Sequence, residues 1–102
     1  MGRYFLTQDA KGDFTHIRKY TIKRWGKEKS KSYLLDMRKT LIMLVDNPMM
    51  GTERTDIGIG VYSFPYVSHM IYYSLVSDGI VVFAILHGAM VPENHLPARL
   101  HE

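Results

Sequence analysis

The 102-residue sequence contains no cysteine. That absence excludes disulfides, thiolate nucleophiles and cysteine-based zinc sites together, and it fits a reducing cytoplasm. No apolar run is long enough for a membrane span, so no membrane partner is expected. The opening Met1-Gly2-Arg3-Tyr4-Phe5-Leu6-Thr7 has too short an apolar part for a secretory signal. Leu6 also stands where a myristoylation pattern needs Ser or Thr. There is no His-Glu-x-x-His pair, no Gly-x-Ser-x-Gly nucleophile turn and no glycine-rich phosphate loop. Gly58-Ile59-Gly60 reads as a turn into a strand. No metal and no cofactor are expected, and repeats and low-complexity stretches are lacking.

What is present suits one globular domain over residues 1–102, with 46% hydrophobic residues and a modest core. The net charge is only +3, but its distribution is uneven. Arg18, Lys19, Lys23, Arg24, Lys27, Lys29, Lys31, Arg38 and Lys39 crowd one stretch against Glu28 and Asp36. Such a run is either a solvated helical surface or a positive face for an acidic partner.

Thr7 can cap a helix whose first turn holds Asp9. Ala10, Phe14, Ile17 and Thr21 then recur at helical spacing, flanked by Tyr20 and Trp25, and Gly26 ends the helix in a left-handed conformation. Gly12 is a weak point inside it. Leu34, Met37, Leu41, Leu44 and Val45 mark a second helix from about Lys29 to Val45, closed by Asp46-Asn47-Pro48. The short Gly26-Lys27-Glu28 connection makes the two an antiparallel hairpin.

After the loop from Met49 to Gly60 the hydrophobic period changes from helical to alternating. Val61 to Phe64, ended by Pro65, then Met70 to Val76 and Ile80 to His87, read as three antiparallel strands. The tail from Val91 reads as a short docked or frayed segment. Asp78-Gly79 is a strong hairpin signal. As a two-residue turn it sets Ser77 opposite Ile80 and Met70 opposite His87. Ile71, Tyr73 and Leu75 then share the helix-packed face with Ile80, Val82, Ala84 and Leu86. The other face carries Met70, Tyr72, Ser74 and Val76 with Val81, Phe83, Ile85 and His87. His69 and His87 fall on opposite faces, which counts against their acting as a pair.

Among His16, His69, His87, His95 and His101, the best candidate for acid–base chemistry is His87, against the simpler reading of a hydrogen-bonded strand end. Tyr72 and Tyr73 read as sheet packing before stacking platforms, and Trp25 as core.

Several segments together resemble a known family. Ala10-Lys11-Gly12-Asp13-Phe14 through Ile17, Tyr20 and Arg24-Trp25-Gly26 is similar to the first helix of the ParE branch of the RelE/ParE toxin superfamily. Tyr33-Leu34, Leu44, Asn47-Pro48 and Gly51 resemble its second helix and exit. Ser63-Phe64-Pro65, His69, Ile71 and Tyr73 resemble its central strands, and Ile85-Leu86-His87-Gly88, Met90, Pro92 and His95-Leu96 its last strand and tail. The resemblance implies an α+β fold: a short first strand, an antiparallel helical hairpin, then a three-stranded antiparallel sheet. It implies the toxin of a type II toxin–antitoxin pair, inhibiting DNA gyrase by binding and neutralised by a cognate antitoxin.

The alternative in the same superfamily is a RelE-type, ribosome-dependent messenger RNA endonuclease, which uses lysine and arginine on the sheet. Val61 to Phe64 has no basic residue, Ser68-His69 stands where that branch has arginine, and Gly88-Ala89-Met90 again lacks it. A pentavalent phosphate would go without its stabilising cations, so a non-enzymatic toxin is the expectation. If the protein is a nuclease, His87, His69 and Tyr72 are the catalytic candidates. For partner contact the candidates are Arg18, Lys19, Lys23, Arg24 and Arg38, with Met90 and His95 in the tail. Direct nucleic-acid binding is not expected, because basic and aromatic residues do not interleave.

Overall fold

A computed structural model describes residues 2–88, 90 and 92–100. Met1, Ala89, Val91, His101 and Glu102, some of which enter the sequence reading, lie outside the described residues. The order is β1 (Arg3–Leu6), α1 (Gln8–Trp25), α2 (Lys27–Asp46), β2 (Thr52–Glu53), β3 (Val61–Tyr66), β4 (His69–Val76), β5 (Gly79–His87) and a short α3 (Leu96–Arg99).

Thr7 caps α1 as expected, its hydroxyl accepting from the Ala10 N–H at 3.1 Å. Gly26 joins the helices alone. Its N–H donates to the Ile22 carbonyl at 2.8 Å and its own carbonyl accepts from Ser30 N–H at 3.1 Å, so one residue ends α1 and starts α2. Its φ of 93° is positive as expected, but ψ is 168°, an extended value rather than the left-handed helical one. That region is open essentially to glycine alone. The second helix therefore starts two residues before the expected Lys29. The hairpin is stapled inside by Thr21 and Ser30, whose hydroxyls meet at 2.6 Å, while Thr21 also donates to the Ile17 carbonyl at 2.7 Å. Burying these hydroxyls is tolerable because both are bonded.

The three expected strands form the centre of a larger, mixed sheet of order β1-β5-β4-β3-β2. On one edge β1 pairs parallel with β5, the helical hairpin and β2–β4 lying between them in sequence. On the other, β2 adds only Thr52 and Glu53. β3 runs on through Pro65 to Tyr66, past the expected stop at Pro65. β2 reaches only as far as Ser63, so Pro65 sits on open edge where no ladder donor is needed.

The expected hairpin register is overturned. Ser77 and Asp78 form the β4–β5 turn, and Gly79 is the first residue of β5, opposite Val76. Gly79 is fixed by close approach rather than by the turn: a Cβ there would collide with the Arg3 carbonyl of β1, and its φ is 141°. Farther along, the register shifts between Tyr72 and Tyr73, so Tyr73 faces Val82 while Tyr72 faces Ala84. Phe83 is the extra residue of a β-bulge. Beyond it every side chain of β5 changes face. Ile85 and His87 join Ile71 and His69 on the helix side, while Ala84 and Leu86 turn away from it, the reverse of the expectation. His69 and His87 are thus directly opposed partners.

The helix side of the core joins Ala10, Phe14 and Ile17 of α1 and Met37, Leu41 and Leu44 of α2 to Ile71, Tyr73, Ile80, Val82 and Ile85. The far side gathers Val61, Tyr72, Phe83, Ala84 and Leu86 under Leu96 of α3. Of the two readings of the tail, docking describes residues 92–100.

Between β3 and β4, Val67 holds a φ of 52°. A β-branched side chain in that region is strained by ~1–2 kcal/mol. Val67 is 76% exposed, so replacing it sacrifices little packing. Val67→Asn, a residue that tolerates this conformation, is expected to raise unfolding stability by ~1 kcal/mol. The check is urea denaturation, with the midpoint moving up and the slope unchanged.

Candidate functional site

The site begins where β1 stops. The Thr7 N–H donates to the Val82 carbonyl at 3.0 Å, and the chain then turns away into α1. From Phe83 onward that side of β5 has no strand beside it. Its polar groups are met by two side chains instead. Asp13 of α1 accepts from the Ile85 N–H at 2.9 Å, and Arg99 of α3 donates to the Phe83 carbonyl at 3.1 Å. The two side chains also pair with each other, at 2.7 and 3.1 Å. Asp9 lies 4.0 Å from the same guanidinium. One carboxylate and one guanidinium therefore supply the acceptor and donor that a longer β1 would have supplied.

Beside this edge opens a groove of about 440 Å³. Asp13, His16, Ile17 and Tyr20 line it from α1, with His69, Ile85 and His87 from the sheet and Met90 and Arg99 from the tail. A chain of rings starts in the groove with Tyr20, His87 and His69 and continues beyond it through Tyr33 to Trp25. Tyr20 and His87 lie 6.4 Å apart, His87 and His69 5.5 Å, His69 and Tyr33 5.8 Å, and Tyr33 and Trp25 5.6 Å. The Tyr33 hydroxyl and His69 Nδ1 are hydrogen bonded at 2.7 Å, and the Tyr66 hydroxyl donates to the Tyr33 carbonyl at 2.8 Å.

Burial sets the proton affinities here. It pushes the Tyr33 phenol up, against hydrogen bonding with Ser68. It raises the Tyr66 phenol to about 12, helped by the nearby charges of Asp36 and Tyr33. His69 is held below its usual value, first by burial and then by His87, while Asp13 pulls weakly the other way. Neutral imidazole is therefore the favoured form of His69.

The sequence-derived residues divide. His69 and His87 come together, correcting the expectation of opposite faces. Tyr72 does not join them: it is buried on the far side of the sheet, with the Arg54 guanidinium 5.8 Å from its ring centroid. Tyr73 is core as expected, its hydroxyl donating to the Pro48 carbonyl at 2.6 Å. Trp25 was expected in the core but is 40% exposed. Arg18, Lys19, Lys23 and Arg24 are exposed along α1. Arg38 is exposed on α2, its guanidinium 5.4 Å from the Phe14 ring centroid. Met90 lines the groove, and His95 is half-buried just before α3. Asp13, Tyr20, Tyr33 and Arg99 were not singled out for the site. Asp13 had a signal: it is a carboxylate on the apolar stripe of α1, three residues after Ala10 and four before Ile17. Arg99 had none.

Two outcomes follow from this geometry. The Asp13 and Arg99 side chains are 11% and 16% exposed, so removing one partner strands a nearly buried charge. Asp13→Ala is expected to cost ~3 kcal/mol. A double-mutant cycle with Arg99→Leu, read by urea denaturation, should show coupling of ~1–3 kcal/mol. His69 generates the second. Its depressed folded-state value means the unfolded chain takes up the proton first. Stability is complete above ~6.5, the unfolded value, and falls as the pH drops from there through the folded value. In His69→Gln, the loss of stability between neutral and mildly acidic pH should shrink.

Known proteins match the chain over nearly its whole length. The family described as "ParE toxin of type II toxin-antitoxin system, parDE" matches residues 4–92. Toxin ParE1 of Caulobacter vibrioides is 29% identical over 96 residues, covering 94% of this chain and 99% of that protein. Toxin ParE1 of Mycobacterium tuberculosis is 26% identical over 95 residues, covering 92% and 97%. A solved structure described as the chromosomal ParDE toxin–antitoxin system from P. aeruginosa shares the fold, with a TM-score of 0.72 at 18% identity, over 85% of this chain and 96% of that one. The chain belongs to the ParE toxin family of type II toxin–antitoxin systems.

Proposed function

We propose that the protein is toxic by occupying DNA gyrase rather than by cutting nucleic acid, that it acts in the cytoplasm, and that a cognate antitoxin neutralises it. The observation that carries this reading is the cation content of the groove. Among the described residues lining it, the lysine and arginine complement is Arg99 alone, and Arg99 is engaged by Asp13 and the Phe83 carbonyl. Phosphodiester cleavage needs positive charge aimed at the phosphorane, and each missing donor costs several kcal/mol of transition-state stabilisation. Most of the exposed cations lie on α1 and α2, outside the groove lining, where they suit attraction of an acidic macromolecular surface. Arg18, Lys19, Lys23 and Arg24 on α1, Arg38 on α2, and Met90 and His95 by the tail remain the proposed partner contacts.

A supercoiling assay with purified gyrase tests this. Supercoiling should be inhibited, His87→Ala should inhibit as well as the parent, and Lys23→Glu with Arg24→Glu should weaken inhibition about tenfold, the equivalent of ~1.4 kcal/mol. Unchanged gyrase activity and unchanged gyrase-mediated DNA cleavage would end the proposal. The juxtaposition of His69 and His87 gives the endonuclease alternative one supporting feature, since two imidazoles can act as acid and base. Primer extension on translated messages separates the two: discrete cuts that vanish in His87→Ala would establish the nuclease.

A further inference from the structure

The bulge at Phe83 does more than turn side chains over. It brings two histidines from well-separated points of the sequence onto opposed positions of neighbouring strands, at the mouth of the groove. Their ring centroids are 5.5 Å apart and their planes are nearly perpendicular, at 87°. Two imidazoles bound to one tetrahedral zinc, with Zn–N of about 2.0–2.1 Å, place their centroids about 5 Å apart. The separation found here is close to what shared coordination requires.

The surroundings suit a ligand pair. The Tyr33 hydroxyl and His69 Nδ1 are hydrogen bonded at 2.7 Å, which fixes the ring, and with Nδ1–H donating to the phenol oxygen Nε2 is the nitrogen left to bind a metal. His69 is 7% exposed overall and lines the groove beside His87. His87 needs to contribute one of its two ring nitrogens, so a hydrogen bond at the other is compatible with binding. Among the described residues no three His, Asp or Glu side chains form a ready-made cage. The site is therefore a two-histidine one, with water from the groove completing the shell.

We propose that His69 and His87 form a cross-strand chelating site for a divalent transition metal ion of the kind that imidazole prefers, zinc being the probe. Binding ties the start of β4 to the end of β5.

The test uses untagged full-length protein, titrated with zinc chloride at neutral pH. The imidazole resonances of His69 and His87 should move together and saturate at one ion per chain. The thermal midpoint should rise with zinc concentration, because the ion binds the folded chain. Magnesium chloride, which prefers oxygen ligands, should do neither. His87 is exposed at a strand end, so His87→Ala should fold normally and weaken zinc binding tenfold or more. His95→Ala should leave binding unchanged. The proposal is overturned if millimolar zinc gives no saturable shift of the two rings. It is also overturned if His87→Ala binds zinc as the parent does, or if the affinity is lost with His95 instead. None of these readouts depends on gyrase.

Discussion

The structure depends most on how the open half of β5 is closed. β1 covers only Gly79 to Val82, and the strand continues for five residues more. Bare ladder groups there would be a template for aggregation or would go unsatisfied against the helices. Asp13 and Arg99 resolve this by acting as a surrogate strand: the carboxylate takes the Ile85 N–H, the guanidinium takes the Phe83 carbonyl, and each neutralises the other. The arrangement ties α1, the sheet and the tail through one ion pair.

The bulge and the ion pair are parts of one device. With Phe83 inserted, β5 turns Ile85 into the helix-side core and Leu86 into the second core under Leu96. A regular strand would have pointed His87 away from α1 and left Tyr20 and His69 without it. The groove, its chain of rings and the opposition of the two histidines all descend from that one extra residue.

Much of the fold was legible in the sequence. Thr7, the Ala10–Thr21 stripe and Gly26 bound the first helix by known capping and periodicity, and Leu34 to Val45 marks the second. The three central strands stood out by their alternation, while the parallel β1 entered only through the family resemblance. β2 was not legible because Thr52-Glu53 carries no pattern. The register failed for a physical reason: Gly79-Ile80-Val81-Val82-Phe83-Ala84-Ile85-Leu86 is apolar at nearly every position, so a slip or bulge changes no polar residue's environment until His87. The Asp-Gly pair pointed to the turn, yet its glycine is required by the backbone of β1. For the site, His69 and His87 were identified but separated, Tyr72 was placed on the correct face but His87 beside it was not, and Asp13 and Arg99 were missed because their partners, each other and backbone groups 16 or more residues away, are distant in sequence.

The tail's role has a consequence for biogenesis. In order of synthesis, Arg99 follows every strand and both long helices. Until it arrives, the far half of β5 and the sheet face that Leu96 covers are both open. A nascent or truncated chain therefore exposes a hydrogen-bonding edge and an apolar surface side by side, the combination that chaperones and proteases recognise. Docking of α3 therefore covers both at once, the open edge through Arg99 and the apolar face through Leu96.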